Sequence, residues 1–201
     1  MTGEASGDLH GAHLAIALRK LQADVELVGV GGEHMRAAGI TLLSGLERVD
    51  GIGVLGINQI RKGWANLRTL KHYLQQEAFD AIVLIDNPGM NLRLAKIAAR
   101  FGHRIIYYIA PQIWAWGRRR IHLIKRVINR VIVILPFEKA IYDEANVPCD
   151  YVGHPLLDSM APTYDQREVR RRLGMPEKGL VIGVLPGSRV HEVETLLPEM
   201  L

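Results

Sequence analysis

The chain has 201 residues, 48% of them hydrophobic and 23% charged, with a formal net charge of +4. That is the balance of an ordinary globular protein of one domain, or one domain and part of another, and so mild a positive charge does not by itself argue for nucleic acid. A single cysteine, Cys149, excludes an intrachain disulfide framework, and no apolar run reaches the ~20 residues that span a bilayer.

The predicted elements alternate. Residues 3–8 form a Gly-containing loop, with Asp8 placed to cap a helix over 9–21. A strand over 25–30 and a helix over 63–76 follow. The apolar strand 80–86 ends in Asn87-Pro88-Gly89, which is turn chemistry, and Asn91 can cap the helix that runs to Arg100. Strands are then expected over 103–109, 130–135 and 149–152, and helices over 118–125 and 137–145. Apolar strands alternating with helices imply an α/β fold: a Rossmann-like parallel sheet covered by helices on both faces.

Beyond Gly153-His154-Pro155 the character changes. We read 1–155 as an N-terminal domain, 156–164 as a linker and 165–201 as the start of a second Rossmann-like domain, with a strand over 180–185 and a helix over 192–201. Only Met1 and Thr2 precede the first loop, where a doubly wound domain places a central strand. The other end stops within a helix. The expectation is a fragment lacking the first strand and most of the second domain, inactive alone. Met1 leads into Gly, Glu, Ser and Asp, so no signal peptide is expected.

Several residue groups carry chemistry. Leu185-Pro186-Gly187-Ser188-Arg189 follows an apolar run and precedes a helix, so Gly187, Ser188 and Arg189, with Glu192 close behind, suit a phosphate group. Asp86 ends a parallel strand, where clefts open, and could accept a proton from a hydroxyl; it could equally cap the turn before Pro88. Asn91 could orient Asp86 or bind a sugar hydroxyl. Trp114 and Trp116 would point opposite ways on an extended segment, one for stacking and one for packing, or both for packing. Gln112 could bond a hydroxyl. Glu138 suits the start of a helix as well as a site, and His154 suits a hinge as well as a cleft. Ile52, Val54, Leu55, Ile57 and Ile60, beside Arg61, Lys62 and Trp64, read either as core or as an apolar patch with a basic rim that meets a membrane. The basic stretch between Arg118 and Arg130 is either a solvated face or an anion-facing surface.

Taken in order, these segments carry a resemblance. Gly3-Glu4-Ala5-Ser6-Gly7-Asp8, Ile85-Asp86-Asn87-Pro88-Gly89-Met90-Asn91, and the block from Tyr107 to Trp116 match a known series. So do Leu135-Pro136-Phe137-Glu138, Val152-Gly153-His154-Pro155-Leu156 and the Gly187 loop. The series resembles that of the lipid-A-disaccharide synthases, inverting glycosyltransferases of Gram-negative bacteria, over essentially the whole chain.

The resemblance implies a GT-B fold. It also implies transfer from UDP-2,3-diacylglucosamine to 2,3-diacylglucosamine 1-phosphate, with no metal or other cofactor. Asp86 would be the general base. Ser6, Asn91, Gln112, Trp114, Glu138 and His154 would meet substrate. Gly187, Ser188, Arg189 and Glu192 would meet the nucleotide. Ile52, Val54, Leu55, Ile57 and Ile60 would face the inner membrane from the cytoplasm. The family often has Ser where Ala110 stands. The alternatives are another GT-B UDP-sugar enzyme, an epimerase or transferase, and a non-catalytic nucleotide-binding module; a nucleic-acid partner is not expected.

Overall fold

The computed structural model describes residues 5–44, 46, 57–115, 117–160, 163–188 and 190–201, the side chains of 5, 57–60, 62 and 159 excepted. Two compact units divide the chain, Met1–Leu157 and Asp158–Leu201.

In the first unit the elements are α1 (Ala5–Leu21), β1 (Val28–Gly29), α2 (Glu33–Ala37), β2 (Thr41–Leu42), α3 (Ile57–Gln76), β3 (Ile82–Ile85) and α4 (Pro88–Arg100). They continue with β4 (Ile105–Tyr108), α5 (Arg120–Val127), β5 (Arg130–Val133), α6 (Pro136–Glu144) and β6 (Cys149–Tyr151). A 3-10 turn, Pro155–Ser159, follows. All strand pairs among the described residues are parallel. β1 pairs with β2 in one sheet, and β3-β4-β5-β6 form a second in sequential order. The chain is therefore an α/β protein of Rossmann-like construction.

Register explains the core. Leu84, Tyr107, Val131 and Cys149 lie side by side across the four strands. All are buried, as are Ile105 and Val133 in the same alternation. This face carries the main apolar cluster with Leu92, Ala95, Ala98 and Ile124 from α4 and α5. The opposite row, Ile85, Tyr108, Ile132 and Asp150, is half-buried except for Ile85. Cover is thus uneven: complete on one face and partial on the other. On the partial face α1 approaches β3, since a Cβ on Gly11 would come 3.5 Å from Ile85 Cδ1.

Three sequence expectations change. Asp8 does not cap α1, which starts earlier, at Ala5. Its buried carboxylate instead accepts from the N–H groups of Gly32, His34 and Met35 at 2.6, 3.0 and 3.1 Å. These are the unsatisfied donors at the start of α2, whose own cap position is a glycine without a side chain to serve them. A Cβ on Gly32 would sit 2.7 Å from an Asp8 oxygen, so the glycine makes room for the clamp.

The cap of α4 is Asn87, whose Oδ1 accepts from Met90 N–H at 3.3 Å, and Asn91 lies inside the helix. Pro88 sits at the first turn, where its missing N–H costs nothing.

In the second unit, α7 (Gln166–Arg172) and α8 (Val190–Met200) form, but residues 180–185 join no sheet. Leu180 and Leu185 are 89% and 87% exposed. An apolar run becomes a strand only when a neighbour satisfies its backbone, and no neighbouring strand is present among the described residues.

Candidate active site

The C-terminal ends of β3 and β4 form the best-defined polar constellation. At the end of β3, Asp86 and Asn87 both take positive φ, +49° and +43°. Asp and Asn tolerate this region better than other non-glycine residues, yet two in succession store strain and need external support. The support is specific. Asn91 Nδ2 donates to the carbonyl oxygens of Ile85 at 3.0 Å and Asp86 at 2.7 Å. The Tyr107 hydroxyl donates to the same Asp86 oxygen at 2.7 Å. Asp86 N–H, in turn, continues the ladder to Tyr108 O at 3.1 Å.

The result is a half-buried Asp86 on a turn whose backbone is held from two sides. Asn91 and Tyr107 are both buried. Burial, and then the Asp86 charge, push the Tyr107 phenol far above its usual range, so it is a permanent donor. The neighbouring strand end repeats the theme. Ile109 has φ +57°, an outlier for a β-branched residue, and its N–H bonds Ile132 O at 3.1 Å.

A second group lies around α6. Glu138 is buried at the helix start. One of its oxygens accepts from Trp114 Nε1 at 3.2 Å and the other from Leu135 N–H at 3.2 Å. Trp114 stands edge-on to Phe137, ring centres 5.2 Å apart, and remains 40% exposed. Glu138 therefore fixes an indole whose remaining surface is open. Behind it, Tyr142 OH donates to Pro111 O at 2.9 Å and pins the loop that carries Gln112 and Trp114.

Of the sequence candidates, Asp86 and Asn91 are brought into contact, and so are Trp114 and Glu138. His154 is half-buried, with its Nδ1 accepting from Leu156 N–H at 3.3 Å. Ser6 and Gln112 are exposed. Ala110 is buried. Ile52, Val54, Leu55, Trp116 and Arg189 lie outside the described residues, as do the side chains of Ile57 and Ile60, whose backbone opens α3.

Sequence reasoning missed Tyr107 and Tyr142 as backbone anchors, because a tyrosine in a strand or helix reads first as core. It also missed His10. That imidazole senses His13, His154 and Asp86, and burial is the largest influence on it, holding its pKa below 6.5. The available signal was the pair His10 and His13, three apart on one helix face just after the Ser6-Gly7-Asp8 segment.

Comparison with known proteins decides the relationship. The sequence model of the family described as lipid-A-disaccharide synthetase matches residues 1–201. The chain belongs to the lipid-A-disaccharide synthetase family. Lipid-A-disaccharide synthase 1 of Legionella pneumophila (strain Lens) is 44% identical over 200 residues, covering 98% of this chain and 52% of the relative. Lipid-A-disaccharide synthase of Coxiella burnetii (strain Dugway 5J108-111) is 38% identical, covering 100% and 54%. That of Nitrosococcus oceani is 37% identical, covering 100% and 52%. The chain thus spans about half the length of the curated relatives it matches.

In this member of the synthetase family, the second unit carries the Gly187 loop. Gly187 has φ +119°, and Ser188 N–H donates to the Glu192 carboxylate at 3.0 Å. A Cβ at Gly187 would meet Glu192 Cβ at 2.7 Å, so only glycine fits this turn. Glu192 is the helix residue that satisfies this N–H.

Proposed function

We propose that the protein containing this chain joins UDP-2,3-diacylglucosamine to 2,3-diacylglucosamine 1-phosphate, giving lipid A disaccharide 1-phosphate and UDP. The observation that carries this reading is Asp86 on its doubly anchored turn, in a chain of this family. An acceptor hydroxyl attacks the anomeric carbon as the bond to the UDP oxygen breaks, with inversion, and Asp86 takes the hydroxyl proton. A single displacement needs one well-placed base, and the Asn91 and Tyr107 bonds keep the carboxylate's backbone still while charge moves. Asn91, Gln112, Trp114, Glu138, His154 and Ser6 are assigned to substrate recognition, with Trp114 offering its open face to sugar or acyl chain. Gly187, Ser188, Arg189 and Glu192 are assigned to the leaving nucleotide, with Ser188 and Arg189 at its diphosphate.

Because both substrates carry acyl chains, we assign the segment from Ile52 to Ile60 and the exposed Trp64 to docking at the cytoplasmic face of the inner membrane. No described helix is long and apolar enough to cross a membrane. The test is purification of a chain of the relatives' full length containing this segment, supplied with both acylated glucosamines. Stoichiometric UDP and disaccharide support the reading; a folded protein that releases neither overturns it.

A further inference from the structure

The loop that leaves β4 and the helix that follows β5 meet through one side chain. Glu138 is 2% exposed, and both of its oxygens are engaged, one by Trp114 Nε1–H at 3.2 Å and the other by Leu135 N–H at 3.2 Å. A carboxylate enclosed in this way has little surface to offer a substrate. Trp114 and Phe137 are 40% and 48% exposed and stand edge-on, so they form an open corner of two rings. The indole N–H, the only polar side-chain atom of that corner, is bonded to Glu138 and is not free to meet a sugar hydroxyl. What the corner presents is hydrocarbon, which matches a chain that needs no polar partner. It lies after β4 and β5, and β4 is the sheet neighbour of β3, the strand that leads into Asp86.

We infer that the Trp114–Phe137 corner receives an acyl chain of the substrate, and that Glu138 is the positioning residue that holds Trp114 for it without touching the substrate. This rests on the acylated glucosamines proposed as substrates. The helix α6 supplies every part of the support. Its Phe137 is one wall, its Glu138 fixes the other, and Tyr142 OH pins Pro111 O at 2.9 Å, earlier in the loop that carries Trp114. Rings held in place before binding lose little freedom when a chain settles on them.

The test reads binding, so that it does not depend on turnover. The full-length protein is titrated by calorimetry with 2,3-diacylglucosamine 1-phosphates of increasing, short acyl length, below their micelle concentrations, and with glucosamine 1-phosphate as the control without chains. In the parent, affinity should rise by up to about fourfold per methylene buried. The rise should be shallower in Phe137→Ala and Trp114→Ala, whose replaced side chains are exposed and leave the fold intact. The same rise in the parent and both variants overturns the acyl site, and so does an equal loss of affinity for the control without chains. The role of Glu138 is read from a double-mutant cycle. Glu138→Gln leaves one oxygen for two N–H donors, and Trp114→Phe removes the indole N–H. Glu138→Gln should weaken acyl binding severalfold in the parent, have no effect beside Trp114→Phe, and shift the Trp114 indole N–H resonance. An equal loss in both backgrounds, or an unmoved resonance, means a helix cap alone and overturns the positioning role. Chain-dependent binding by a protein that forms no disaccharide supports the corner and overturns only the proposed reaction.

Discussion

The Asn91 side chain bonds the backbone of Asp86, five residues earlier, at 2.7 Å from inside α4. The first turn of a helix thereby fixes the strand end that precedes it. A buried amide that serves two carbonyls is costly to remove, because both acceptors lose a partner away from water. Asn91→Ala should destabilise the protein by about 2–3 kcal/mol in urea unfolding. It should also lower kcat more than it raises KM, since the loss falls on the geometry of the proposed base.

Tyr107→Phe removes one hydroxyl and keeps the ring in the core. Its expected cost is about 1 kcal/mol of stability. A drop in kcat at unchanged substrate affinity would show that the hydroxyl steadies Asp86. Full activity at full stability would assign that steadying to Asn91 alone.

The Asp8 clamp links α1 to the start of α2 across 24 to 27 residues of sequence. Asp8→Ala leaves three donors at the α2 terminus without their acceptor and should cost about 2–4 kcal/mol in a denaturant melt. Hydrogen exchange should rise first at Gly32, His34 and Met35. Unchanged protection at those amides would contradict the clamp.

Cys149 is buried in the β6 row, and burial pushes its thiol from 9.0 up to about 11. The thiol is thus protonated and enclosed at neutral pH. Iodoacetamide should alkylate the native protein at pH 8 far more slowly than the urea-unfolded chain. Equal rates would show that β6 opens readily. Because the folded pKa is the higher one, any stability this thiol contributes is complete below 9.0 and lost as pH rises toward 11.

Much of the first unit could be read from the chain. The runs that became β3, β4 and β5 are largely apolar and were expected as strands, whereas the start of α4 was misplaced, because Asn91 was read as the cap that Asn87 supplies. The second unit was less legible. Residues 180–185 have the composition of a strand, but a strand is a relation between segments, and composition cannot supply the neighbour. Asp8 misled because a local cap and a long-range clamp use the same side chain. Within the site, Asp86, Asn91, Trp114 and Glu138 stood out through their motifs. Tyr107 and Tyr142 act as backbone anchors, through bonds to the carbonyls of Asp86 and Pro111 that spacing along the chain does not encode.

The most direct measurement is product formation by the full-length protein and its Asp86→Ala variant, with folding of both checked by their melting transitions. The account predicts a folded variant that still binds the acceptor and has lost disaccharide and UDP formation by about 10²–10⁴-fold, the scale of general-base catalysis. A folded variant that turns over at the parental rate would contradict it, and would leave Asp86 as the cap of a strained turn and nothing more.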